Sequence, residues 1–158
     1  KLRSGTENVP AITGFGKATE IISEKDIENI EKLQKYLINE LLKIPKVELN
    51  GPPLGEHRLC NNINVTFTNI EGESILYLLE MGGICTSTGS ACMSNTLEPS
   101  HVLNAIGISH LKSNASLRIT ISKYTTKEEI DEFLQVIPGI VQKLRAMSPI
   151  TQKEEEEN

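Results

Sequence analysis

Apolar residues recur along this chain with two periods, and each change of period marks a new element. Pro10 suits a first helical turn, and Ile12, Phe15, Thr19 and Ile22 follow at helical spacing, interrupted by Gly14 and Gly16. Ser23 with Asp26 three residues later resembles a capping box. Ile27, Ile30, Gln34, Leu37 and Leu41 then continue the face to Pro45, which makes one long amphipathic helix.

Shorter periods follow. Val47 to Leu49 predicts a short strand closed by the turn residues Asn50, Gly51, Pro52 and Pro53. Between Asn62 and Thr68, Ile63, Val65 and Phe67 alternate with Asn64, Thr66 and Thr68, the pattern of a strand with one buried face. Glu73 to Met81 reads as a helix stopped by Gly82 and Gly83, and Ile84 to Ser87 as another short strand. Pro99 restarts a helix that carries Val102, Leu103 and Ile106 and ends at Gly107. Ser116 to Ser122 alternates again, with Leu117, Ile119 and Ile121 on one side and Arg118 and Thr120 on the other. Thr126 and Glu129 form a second capping box before Ile130, Phe133, Leu134 and Ile137. Pro138 is expected to begin a separate segment with Ile140, Val141 and Leu144.

Short, single-faced strands alternating with helices predict an α+β fold, with helices on one side of a small, largely antiparallel sheet and the other side left for a partner. The expected divisions are a connecting segment and helix at 1–22, a small domain at 23–147 and a disordered acidic tail at 148–158. A chain of 158 residues can build such a core without staples. It begins at Lys1 without an initiator Met or targeting pattern, which predicts a segment missing upstream.

Charge narrows the function. A net charge of −5 without a Lys/Arg cluster argues against a nucleic-acid surface, and no apolar run approaches the roughly 20 residues that cross a bilayer. Three irregularly spaced cysteines fit a reducing compartment, so the expected location is cytoplasmic.

The candidate chemistry centres on Cys92, in the stretch Gly82-Gly83-Ile84-Cys85-Thr86-Ser87-Thr88-Gly89-Ser90-Ala91-Cys92-Met93-Ser94-Asn95 of small and polar residues. A thiol in such a loop is reachable and can act as a nucleophile if a helix N-terminus, His101 or a group from elsewhere stabilises its thiolate; an inert exposed thiol is the alternative. Arg118, on the polar side of its strand, could grip a carboxylate bidentately or simply face solvent. Arg3-Ser4-Gly5-Thr6 has the composition of an anion-binding turn but not P-loop spacing. His57, Cys60, Cys85 and Cys92 lack the paired spacing of a structural zinc site, so Cys60 and Cys85 are expected in the core or in strands.

Taken together, these residues resemble the C-terminal part of a cysteine desulfurase, a pyridoxal-phosphate-dependent enzyme of the class V aminotransferase fold. The similarity is to the subgroup with a long active-site cysteine loop. It rests on Arg3-Ser4-Gly5-Thr6-Glu7-Asn8 and on Gly89-Ser90-Ala91-Cys92, followed by Leu97-Glu98-Pro99-Ser100-His101-Val102-Leu103. Ser116-Leu117-Arg118-Ile119 leads in turn to Tyr124-Thr125-Thr126-Lys127-Glu128-Glu129-Ile130-Asp131. The motifs occur in family order across roughly residues 1 to 147.

The resemblance implies that L-cysteine reacts at pyridoxal phosphate, with Cys92 attacking the substrate sulfur to leave a persulfide on Cys92 and release alanine. It implies that Arg118 holds the substrate carboxylate and that Thr6 touches the cofactor phosphate of the neighbouring subunit in a homodimer. The persulfide would pass to an iron–sulfur scaffold or a tRNA-thiolation protein. The family's cofactor-bonding lysine belongs to a large domain N-terminal to Arg3. No His-Lys motif here replaces it, Lys123 included, so the isolated chain is expected to be inactive. The alternatives are a docking module for a sulfur acceptor, a selenocysteine lyase, or a thiol redox role for Cys92.

Overall fold

The computed structural model describes residues 4–88 and 100–149. Two strands form the middle of its sheet, β2 (Asn62–Phe67) and β4 (Ser116–Thr120), paired antiparallel with Ile63 opposite Ile119 and Val65 opposite Leu117. β1 (Val47–Leu49) adds to the outer edge of β2, and β3 (Ser87–Thr88) to the outer edge of β4. The resulting four-stranded sheet has the order β1-β2-β4-β3, and every pairing is antiparallel.

The alternation in β2 and β4 sets which face is buried. Ile63, Val65, Phe67 and Leu117 have no exposed surface. Three helices cover them: α2 (Glu24–Leu41), α3 (Gly72–Met81) and α6 (Lys127–Met147). Leu37, Ile38 and Leu41 enter this core from α2, Ile75 and Leu79 from α3, and Ile130, Phe133, Ile137 and Val141 from α6. The predicted α+β architecture, with its small antiparallel sheet, is therefore the observed one.

Helix ends follow local chemistry. Ser23 caps α2 by accepting from Asp26 N at 3.1 Å. Thr126 and Glu129 make the full reciprocal box on α6, with Glu129 N donating to Thr126 Oγ1 at 3.2 Å and Thr126 N to Glu129 Oε2 at 2.8 Å. After α3, Gly83 takes a left-handed φ of 80°, and Ile84 N donates back to Leu79 O. Ile84 is thus used in ending the helix, and β3 begins at Ser87 rather than at the predicted Ile84.

Pro138 does not start a new segment. It lies inside a continuous α6, exposed, between the buried Ile137 and Val141. Packing on both sides outweighs the one hydrogen bond that proline cannot donate, and the bond is lost on the solvent side. Replacing Pro138 with alanine should restore that bond and stabilise the chain by about 1–2 kcal/mol, after the greater freedom of the unfolded chain is allowed for. A urea midpoint that falls instead would show that the ring itself packs.

The far side of the sheet is not left open along its whole length. α5 (His110–Asn114), which follows α4 (His101–Ala105), closes one end of it, and Thr66 and Ser116 are fully buried there. By contrast α1 (Val9–Glu20), capped by Asn8, buries no residue, and Phe15 on it is 73% exposed.

Across α2 and α6, Asp131 accepts from Tyr36 Oη at 2.7 Å and from Lys127 Nζ at 2.5 Å. The bond from Lys127 and then that from Tyr36 hold the Asp131 carboxyl below its ordinary range. The same carboxylate raises both the Tyr36 phenol and the Lys127 ammonium.

Candidate functional site

Antiparallel pairing places directly opposed residues on the same face. Phe67 N donates to Ala115 O, and Ile121 N to Asn61 O, so 67/115 and 61/121 are hydrogen-bonded positions. The intervening pairs Asn64/Arg118 and Thr66/Ser116 are then of the non-hydrogen-bonded kind, whose side chains stand closest. On its other flank Arg118 is opposed by Ser87. The polar face of the sheet therefore carries Asn64, Arg118 and Ser87 as a row, with Thr66, Ser116 and Glu48 beside it.

Charge on this face is uneven. Glu48 is paired with Lys112 of α5 at 2.5 Å. Arg118 is half-buried, and its guanidinium makes no hydrogen bond or ion pair with another described residue. A half-buried cation without a counter-charge among the described residues is a candidate anion site, and a planar guanidinium suits a carboxylate.

A buried polar cluster supports the row from below. Ser116 Oγ donates to Lys112 O at 2.7 Å, and the two hydrogens of Asn50 Nδ2 are shared among Asn64 Oδ1 at 2.6 Å, Thr66 Oγ1 at 2.9 Å and Ser116 Oγ at 3.1 Å. Asn50 is itself anchored, because its backbone N donates to Asn64 O and its carbonyl accepts from Arg58 Nη2. Burial lowers the pKa of Arg58, whose guanidinium also donates to Pro52 O and so secures the turn that carries Asn50.

The other predicted residues lie apart from this row. Thr6 is exposed ahead of α1, with no hydrogen bond to another described residue. Cys92, with the rest of residues 89–99, lies outside the described residues, as does the tail from 150 onward. His101 is exposed at the first position of α4, and Lys123 is exposed with its ammonium 5.2 Å from the Tyr124 ring centroid. Cys60 is half-buried in the turn before β2, and Cys85 is exposed ahead of β3. Neither sits in the core or a strand as expected, because the turns that end one element and begin the next occupy those positions.

The model of the class-V aminotransferase family matches residues 1–133. The chain belongs to that family. Among class-V relatives, a cysteine desulfurase IscS of Methanosarcina thermophila is 55% identical over 98% of this chain. Cysteine desulfurase IscS 1 of Archaeoglobus fulgidus is 50% identical over 94% of it. The chain spans 38% and 39% of the length of these two proteins. Its fold is similar to a NifS-like protein from Rickettsia africae, with a TM-score of 0.74, 32% identity and coverage of 89% of this chain and 37% of that one. Another solved NifS-like protein has the same TM-score at 36% identity, covering 90% of this chain and 36% of its own. Class-V membership thus agrees with the motif order read from the sequence. Among the described residues, no helix is long and apolar enough to cross a membrane.

Proposed function

We propose that this chain is the small-domain segment of a cytoplasmic, homodimeric cysteine desulfurase that converts L-cysteine to L-alanine and carries the released sulfur on Cys92. The observation that carries the reading is Arg118. A half-buried guanidinium, without an ion-pair partner among the described residues and on a strand paired on both sides, is suited to hold an amino-acid carboxylate. The desulfurase relatives supply the substrate class.

The residues present fit one part of a pyridoxal phosphate site. Thr6 offers an exposed hydroxyl next to Gly5, which permits the turn's φ of 114° and has no side chain to crowd it, so a phosphate from a neighbouring subunit could approach it. The lysine that bonds the cofactor belongs to a large domain ahead of residues 1–22, the connecting segment. The exposure of Val9, Ile12 and Phe15 on α1, which buries no residue, supports that placement. Residues 23–147 are the small domain and 148–158 an acidic tail.

Bound pyridoxal phosphate supplies an electron sink for the substrate Cα. Arg118 fixes the substrate by its carboxylate, which sets the direction in which its sulfur points. Cys92 acts as a thiolate: a bond forms between its Sγ and the substrate sulfur, and the substrate Cβ–S bond breaks. The electron pair stays with the carbon fragment, which takes up a proton and leaves as alanine. The persulfide on Cys92 is then handed to an iron–sulfur scaffold or another sulfur-acceptor protein.

The test uses the full-length protein loaded with pyridoxal phosphate. It should release alanine from L-cysteine, whereas the isolated 158 residues should not. Replacing Arg118 with glutamine should raise KM for L-cysteine roughly a hundredfold, the loss of a bidentate charged contact. Absence of alanine release by the full-length protein, or an unchanged KM in the variant, overturns the reading.

A further inference from the structure

The two neighbours of Arg118 on the polar face differ in what they can offer an anion. Ser87 Oγ donates to Thr88 O at 3.1 Å, so its proton is already used. Asn64 is different. Its Oδ1 is taken by Asn50 Nδ2 at 2.6 Å, and its Nδ2 makes no hydrogen bond with another described residue.

That orientation agrees with the bonding of the rest of the cluster. The Lys112 carbonyl can only accept, so Ser116 must donate to it at 2.7 Å. Ser116 accepts from Asn50 Nδ2 at 3.1 Å while Thr66 Oγ1 donates to Asn50 Oδ1 at 3.1 Å, so both ends of the Asn50 amide are engaged within the cluster. The same NH2 faces Asn64 and selects its oxygen. The Asn64 amide is thus turned with its oxygen toward Asn50, and among the described residues its Nδ2 has no hydrogen-bond partner on the face it shares with Arg118.

We propose that Asn64 is a second donor to the substrate carboxylate, binding with its Nδ2 the same group that Arg118 holds. The inference rests on the reading of Arg118 given above. A carboxylate has about four acceptor positions, and a guanidinium fork fills two, so a neighbouring amide has a place to bind. Asparagine is also the fitting residue type. An aspartate of the same shape would neutralise Arg118 and close the site, while an aliphatic residue would leave Asn50 Nδ2 with one acceptor fewer.

The experiment follows from that comparison and uses the full-length protein with its cofactor. Asn64→Asp preserves Oδ1 for Asn50 but replaces the donor with a negative charge. It should raise KM for L-cysteine roughly a hundredfold while kcat changes less than about threefold, the pattern of lost uniform binding. Asn64→Ala, which introduces no charge, should raise KM roughly tenfold. A merely structural role is separated by two inhibitors: Asn64→Asp should weaken L-alanine far more than L-alaninamide, which lacks the carboxylate charge. An unchanged KM in both variants, or equal weakening of the two inhibitors, overturns the proposal. If wild-type protein releases no alanine, or Arg118→Gln keeps the wild-type KM, the parent reading fails instead. A normal wild type with an impaired Arg118→Gln and an unaffected Asn64→Asp removes only the role of Asn64.

Discussion

Replacement of Cys92 by alanine in the full-length, cofactor-loaded protein should lower alanine release from L-cysteine by at least roughly a thousandfold, as loss of a covalent nucleophile does. Binding should survive, because the proposed carboxylate grip is assigned to Arg118 on β4 and not to the segment that carries Cys92. L-Cysteine should therefore still perturb the cofactor spectrum, while mass spectrometry finds no persulfide on the protein. Cys85→Ala is the matched control. Cys85 is exposed, as a reactive thiol must be, yet it precedes β3 and has no part in the proposed reaction. Its removal should leave turnover unchanged. Wild-type turnover in Cys92→Ala would refute the nucleophile, and loss of turnover in Cys85→Ala alone would move the role to that residue.

Replacement of Gly72 by alanine should destabilise the chain by roughly 3 kcal/mol, the upper part of the range for overpacking a core. A Cβ at Gly72 would stand 2.5 Å from Ser116 O and 3.1 Å from Asn114 O, both backbone atoms. Neither can swing aside as a side chain would, so α3 must move away from β4 or the start of β4 must shift. Ser116 lies in the cluster that orients Asn64, and the damage should reach the polar face as a raised KM for L-cysteine. Gly139 provides the contrast: it lies within α6, and a Cβ there would meet nothing within 4 Å. Gly139→Ala should stabilise by about 0.5–1 kcal/mol, the ordinary gain for that exchange in an open helix. Urea midpoints that shift the same way for both variants would contradict this account.

Much of the fold was legible because burial in β2, β4, α2 and α3 is strongly periodic. Ile63, Val65 and Phe67 mark their strand without ambiguity, and Gly82-Gly83 mark the end of α3. α5 was not legible. His110-Leu111-Lys112-Ser113-Asn114 is too short and too polar to show a period, and its role comes from one carbonyl, Lys112 O, and one buried serine, Ser113. Pro138 misled for another reason. A local rule about proline was overridden by Ile137 and Val141, whose burial holds α6 together across it. In the site, alternation alone showed that Arg118 faces away from Leu117 and Ile119. Asn64 was missed because strand register is a tertiary property: nothing local to residue 64 says that it stands opposite residue 118.

The doubly paired position of β4 also bears on how such a protein can vary over evolutionary time. A single insertion or deletion within Ser116–Thr120 would turn Arg118 to the core side and bury its charge among Ile63, Val65 and Leu117. On the proposed reading, recognition of the substrate carboxylate is thereby tied to a fixed strand register, and β4 can change by substitution far more readily than by length.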